Sequence, residues 1–143
     1  ERHPADFVPE LSRRGRGFAT WAVIKSLGRE GVAGMVSRHC AQARRMAERL
    51  GAEPDVEIMN DVVLNQVAVR LGSDLDGAEA DALTERTIAR IQRDGVCFLG
   101  GANWRGRQII RVSVISGNTT DADIDRSAEA ILASWRAERH ANA

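Results

Sequence analysis

Hydrophobic positions along the first third of the chain recur with a helical period. From residue 12 to 27, Phe18, Trp21, Ala22, Val23, Ile24 and Leu27 fall on nearly every side of a helical wheel, the pattern of a helix covered on most faces. Gly28 and Gly31 interrupt it. A second helix is predicted to about residue 50, with Val32, Met35, Val36, His39, Ala43, Met46, Ala47 and Leu50 at i, i+3, i+4, i+7 spacing and Gly51 as its C-cap. The period then switches to two. Strands are predicted at 56–59 and 63–71, with Asn60-Asp61 as the turn and Val63, Val67, Val69 and Leu71 on one side. A third helix over 78–94 buries Leu83, Thr87, Ile88 and Ile91 and stops at Gly95. Strands follow at 96–99 and 107–115, with 100–106 as the loop between them. The last helix starts after Thr119-Thr120. Thr120 and Asp123 there have the form of a capping box, and Ile124, Ala128, Ile131 and Trp135 form the buried stripe.

The order is therefore a helical entry followed by β-β-α-β-β-α, an α+β fold in which helices pack on one face of a mainly antiparallel sheet. Three regions are expected: an extended arm over 1–11, a two-helix segment over 12–50, and a small α/β domain over 51–143. Pro4 and Pro9 fix φ in the arm and favour an extended segment lying on some other surface. The chain opens at Glu1 with no initiator Met, which reads as a fragment.

Composition narrows the function classes. With 143 residues, 20 Lys plus Arg and 20 Asp plus Glu, the chain suits one domain of zero net charge. Nucleic-acid binding needs a cationic surplus to neutralise phosphates, so neither that nor a polybasic membrane anchor is expected, and no apolar run reaches bilayer length. Cys40 and Cys97 have no metal or redox spacing and read as small buried hydrophobes in a reducing compartment. A cytoplasmic location is expected.

Several constellations invite chemistry. Gly28-x-x-Gly31-x-x-Gly34 and Gly15-x-Gly17 lack the preceding strand of a dinucleotide fingerprint and read as helix punctuation. Asp121, Asp123 and Asp125 imitate a calcium loop, but Arg126 and Leu132 stand where Gly and Glu are required, so they read as helix-start charges. His39 reads as a hydrogen-bonded core or interface histidine. Arg105, Arg107 and Trp104 resemble a small stacking site for nucleic acid, against which the balanced charge argues. Lys25, the sole lysine beside 19 arginines, shares a stripe with Phe18, Trp21 and Ala22. Burial there would favour Schiff-base chemistry; the alternative is a stem snorkelling along the aromatics with its amine in water. In the final strand, alternation sends Ile110, Val112 and Val114 to the core and Arg111 and Ser113 to the other face. Arg111 is then either half of a surface ion pair or a bidentate contact for a carboxylate ligand.

Three blocks, FVPELSRRGRGFATWAVIKSLGREGV, NDVVLNQVAVRL and GGANWRGRQIIRVSVISGNTTDADIDRSAEAIL, together resemble the C-terminal part of the group II pyridoxal-phosphate-dependent amino-acid decarboxylases over about residues 7–132. The family includes aromatic-L-amino-acid, glutamate, tyrosine and histidine decarboxylases. The resemblance implies the C-terminal portion of the aminotransferase-like (fold type I) architecture: the end of the large domain and the small domain that closes over the cofactor cleft. It implies a homodimer, an amino-acid substrate and, as partner, a large domain carrying the cofactor lysine. It makes Lys25 a basic residue of a helix rather than the Schiff-base lysine. Arg111 matches an arginine at the substrate carboxylate in glutamate-specific relatives and is the one site residue carried over. No pyridoxal 5'-phosphate is expected on this chain alone, which is expected to be inert. A free-standing α+β binding or assembly module using the sheet face around Arg111 is the alternative, and an autonomous enzyme using Lys25 a third.

Overall fold

The structure, a computed structural model, describes residues 15–141, so the expected arm over 1–11 and the start of the first helix at residue 12 lie outside the described residues. The chain divides into two compact units, the first ending at Gly34 and the second beginning at Met35. Both contribute to one long helix, α1 (Arg16–Gly51).

In the first unit, α1 holds Phe18, Trp21, Val23, Ile24 and Leu27 exposed, where the wheel implied cover on most sides. One helix has no second layer within its own unit against which to bury such a stripe. The rings of Phe18 and Trp21 stand 5.8 Å apart. Only one residue departs from helical geometry, Gly28, at φ 64° and ψ −174°, a combination that glycine alone adopts without strain. The break expected at Gly28 to Gly31 is thus a single irregular residue, after which the helix resumes.

The second unit is a four-stranded antiparallel sheet with helices on one face. Its strands are β1 (Val56–Ile58), β2 (Gln66–Leu71), β3 (Gly100–Trp104) and β4 (Arg107–Ser113), in the order β1-β2-β4-β3. The helices are the end of α1, α2 (Gly77–Asp94) and α3 (Asp121–His140). Val67, Val69, Leu71, Ile110 and Val112 form the inner face, against Met46 and Leu50 of α1, Leu83 and Ile91 of α2, and Ile124, Ile131 and Trp135 of α3. Fully burying one such side chain contributes roughly 1.5–3 kcal/mol, so this cluster is the main source of stability. Asp76 caps α2 by accepting from the Glu79 N–H, and Gly95 ends it at φ 70°. Thr120 and Asp123 form the capping box of α3.

Two strand assignments are corrected. Residues 96–99 are not a strand, and the expected loop over 100–106 contains β3. The turn between β3 and β4 is only Arg105-Gly106, both at positive φ, the geometry of a two-residue hairpin that matches strand twist. Two adjacent glycines are poor strand formers, but neighbours occupy the space of the missing side chain at Gly101. A Cβ on Gly101 would lie 2.8 Å from Gln108 Nε2 and 3.1 Å from Ile88 Cδ1, so tertiary packing places the strand. Likewise β2 begins at Gln66, not at Val63. Val63 and Leu64 are exposed in the connection, because Asn60 Oδ1 accepts the Ala68 N–H while its Nδ2 donates to the carbonyls of Asp61 and Gln66.

Candidate functional site

The outer face of the sheet carries the residue singled out from sequence. Arg111 is exposed, off the core face as alternation requires, and makes no ion pair or hydrogen bond with another described residue. It faces Ala68 across β2 and Gly100 across β3. Both flanking positions are therefore occupied by very small residues, of which Ala68 is buried and Gly100 has open space where a side chain would stand. One step along, Ser113 faces Gln66 on the same side. Nothing acidic stands in register with Arg111, so its charge is available to an anion from outside.

Sequence reasoning missed how a second arginine is handled. Arg70, 5% exposed, donates to Asp81 Oδ1 at 2.6 Å, to the Gln108 carbonyl at 3.0 Å and to the Gly77 carbonyl at 3.3 Å. The Arg70 hydrogen bond holds the Asp81 carboxyl below the usual carboxylate range, assisted by the Gln108 N–H. Arg70 is thus a fully engaged structural cation and Arg111 a free one, a difference that alternation alone does not reveal.

The other candidates are structural. His39 is buried and its Nε2 lies 3.1 Å from the Ser116 carbonyl, as a hydrogen-bonded core histidine should. Gln42 donates to the Thr119 carbonyl at 2.7 Å and Arg38 to that of Gly117, so α1 secures the loop that follows β4. Asp123 caps α3, Asp125 pairs with Arg45 at 2.7 Å, and the Thr120 and Arg45 hydrogen bonds respectively hold these two carboxyls below their usual range. Arg105 lies over the Trp104 ring at 5.7 Å. Cys40 and Cys97 are free and half-buried, less enclosed than expected; burial pushes the Cys97 thiol up, against a hydrogen bond with Ser127. A groove between α2 and α3 is rimmed by Glu79, Arg86, Glu138 and Arg139, and its charges largely satisfy one another: Arg86 lies 3.8 Å from Glu138, and Arg139 pairs with Asp55 and Asp74. Among the described residues no cluster of three or more His, Cys, Asp or Glu is placed to hold a metal, and no helix is long and apolar enough to cross a membrane.

No family model matches the chain. Curated relatives do. Mouse histidine decarboxylase is 32% identical over 116 residues, covering 81% of this chain and 17% of the relative. Tyrosine decarboxylase 2 of Arabidopsis thaliana is 26% identical over 112 residues, covering 76% of this chain and 20% of the relative. Among solved structures, Oryza sativa TDC with PLP superimposes at a TM-score of 0.79 with 18% identity, over 92% of this chain and 29% of that one. This chain is a homologue of one segment of the amino-acid decarboxylases. It spans about a fifth of the length of the curated relatives it matches, consistent with their C-terminal part. The α+β architecture is the one found in the solved decarboxylase, as the resemblance implied.

Pyridoxal phosphate is held by an imine to a lysine amine, which a decarboxylase segment must either contain or receive. Lys25 is exposed, on a helix whose neighbouring apolar residues are also exposed, and it has no hydrogen-bond partner among the described residues. The residues present do not fit the cofactor.

Proposed function

We propose that this chain provides the small domain of a pyridoxal-phosphate-dependent amino-acid decarboxylase and that Arg111 receives the carboxylate of the amino-acid substrate. The observation that carries the reading is the guanidinium of Arg111, exposed between Ala68 and Gly100 and without an ion pair or hydrogen bond among the described residues. A planar fork of N–H donors matches the two oxygens of a carboxylate, and lysine does not reproduce that match. In this reading 51–143 form the small domain, 12–50 lead to a large domain, and 1–11 are an arm. In the assembled homodimer the sheet face closes the cleft and orients the substrate, and the large domain brings the cofactor amine. Alone, the chain binds carboxylates and performs no chemistry.

Titrating the ¹⁵N-labelled chain with acetate tests the Arg111 assignment. The Nε–H resonance of Arg111 is expected to shift with saturation, and Arg111→Met to abolish the response along the sheet face. Shifts that survive Arg111→Met, or no shift at all, would remove Arg111 from the site. Native isolation tests the assembly: the chain is expected to accompany a polypeptide whose lysine carries the cofactor. A monodisperse monomer that binds carboxylates unaided would instead favour the free-standing binding module.

A further inference from the structure

The two edges of the sheet are guarded unequally. β1 is three residues long with Glu57 exposed at its centre, so pairing with its own copy would set two carboxylates opposite each other. β3, at the other edge, has no such guard. Residues 96–104 hold neither a charge nor a proline, and the strand is exposed at Gly101, Asn103 and Trp104.

The bonding of β4 fixes which groups this edge offers. Gln108 donates its N–H to Asp81 and its carbonyl accepts from Arg70, so Asn103, directly opposite, has no main-chain partner in β4. In an antiparallel ladder such pairs alternate with bonded ones. Gly100, Ala102 and Trp104 therefore bond to β4, while Gly101 and Asn103 turn their N–H and C=O groups outward, without a hydrogen-bond partner among the described residues. Unpaired groups along a strand edge are a template for another strand.

Side chains select the strand. A Cβ on Gly101 would meet Gln108 and Ile88, whereas one on Gly100 would meet nothing within 4 Å. Gly100, Ala102 and Trp104 share one face of β3. If two copies of β3 pair antiparallel about a two-fold axis at Ala102, Trp104 of each, 40% exposed, stands across from the bare Gly100 of the other and covers it. We infer that β3 is a self-association edge, on which a second copy of this chain adds its own β3 in that register. The Gly101 N–H of one copy donates to the Asn103 carbonyl of the other, the Asn103 N–H of the other donates to the Gly101 carbonyl of the first, and the axis repeats both bonds. Ala102 faces Ala102, and no charge within the strands opposes another. The contact goes beyond the proposed function, since it uses neither Arg111 nor a large domain.

The test is NMR on the full chain at increasing concentration, with ¹⁵N-labelled and ¹³C-labelled copies mixed. An edge contact of this size belongs to the weak class of interfaces, so dissociation at about 0.1–1 mM is expected. The Gly101 and Asn103 amides are expected to shift with concentration, and Overhauser contacts to join the Trp104 indole N–H of one copy to the Gly100 Hα protons of the other. Trp104→Ala is expected to raise the dissociation constant at least about fivefold, because both symmetry-related contacts are lost together. Ala102→Lys sets two cations face to face across the axis and is expected to suppress the shifts while the urea midpoint stays unchanged. Gly101 and Asn103 amides that stay constant up to about 1 mM overturn the inference and leave the edge to an extended segment of a different protein. Association whose shifts are confined to Phe18, Trp21 and Ile24 of α1 overturns it too, as does association that both variants leave unweakened.

Discussion

At the scale of single residues, two arginines on neighbouring strands have opposite fates, decided by what the fold places beside them. Arg70 is buried and meets Asp81, whose oxygen also accepts the Gln108 N–H. Neutralising the acid leaves the buried Arg70 cation without its counter-charge. Asp81→Asn is therefore expected to destabilise the unit by about 1–3 kcal/mol in urea denaturation at neutral pH. The folded Asp81 carboxyl titrates below its unfolded range because Arg70 favours the charged form. Its contribution is present above about pH 4, the unfolded value, and is lost as pH falls through the lower folded value. The stability gap between wild type and Asp81→Asn should accordingly narrow on acidification below about pH 4, and a gap that is constant from pH 7 to pH 3 would show that the pair is not coupled to folding. Arg111 has small neighbours, Ala68 and Gly100, in place of an acid.

At the scale of elements, caps and close approaches carry the local specification. Thr120 accepts the Asp123 N–H and Asp123 in turn accepts the Thr120 N–H. Thr120→Ala is expected to cost about 1 kcal/mol, read as a lower urea midpoint with unchanged slope. Gly101→Val drives a branched side chain into Gln108 and Ile88 and is expected to cost about 1–3 kcal/mol, where the same change at the open Gly117 should be nearly silent in the same assay. The elements that were legible in sequence are those with a strong period or a local terminator: α2 with Gly95, α3 with its capping box, and the alternating core face of β4. β3 was hidden because its first residues are Gly100 and Gly101, poor strand formers held in the sheet by pairing with Arg111 and Ile110. The Arg105-Gly106 turn was a readable sign of a hairpin at that place. Arg111 was legible as off the core, but its freedom was not, because that depends on Ala68 and Gly100 being opposite it.

At the scale of the molecule, the chain is similar to about a fifth of the length of its decarboxylase relatives. The first unit exposes Phe18, Trp21 and Ile24, the second exposes a sheet face bearing Arg111, and the sole lysine sits in water. The proposed function assigns such a molecule the holding of a carboxylate and leaves the cofactor amine to a large domain. Carboxyl-labelled histidine, tyrosine, tryptophan and glutamate, incubated with the purified chain and pyridoxal phosphate, measure this most directly. No labelled carbon dioxide is expected above a blank of pyridoxal phosphate alone. Release that saturates with amino acid and disappears in Lys25→Ala would contradict the account.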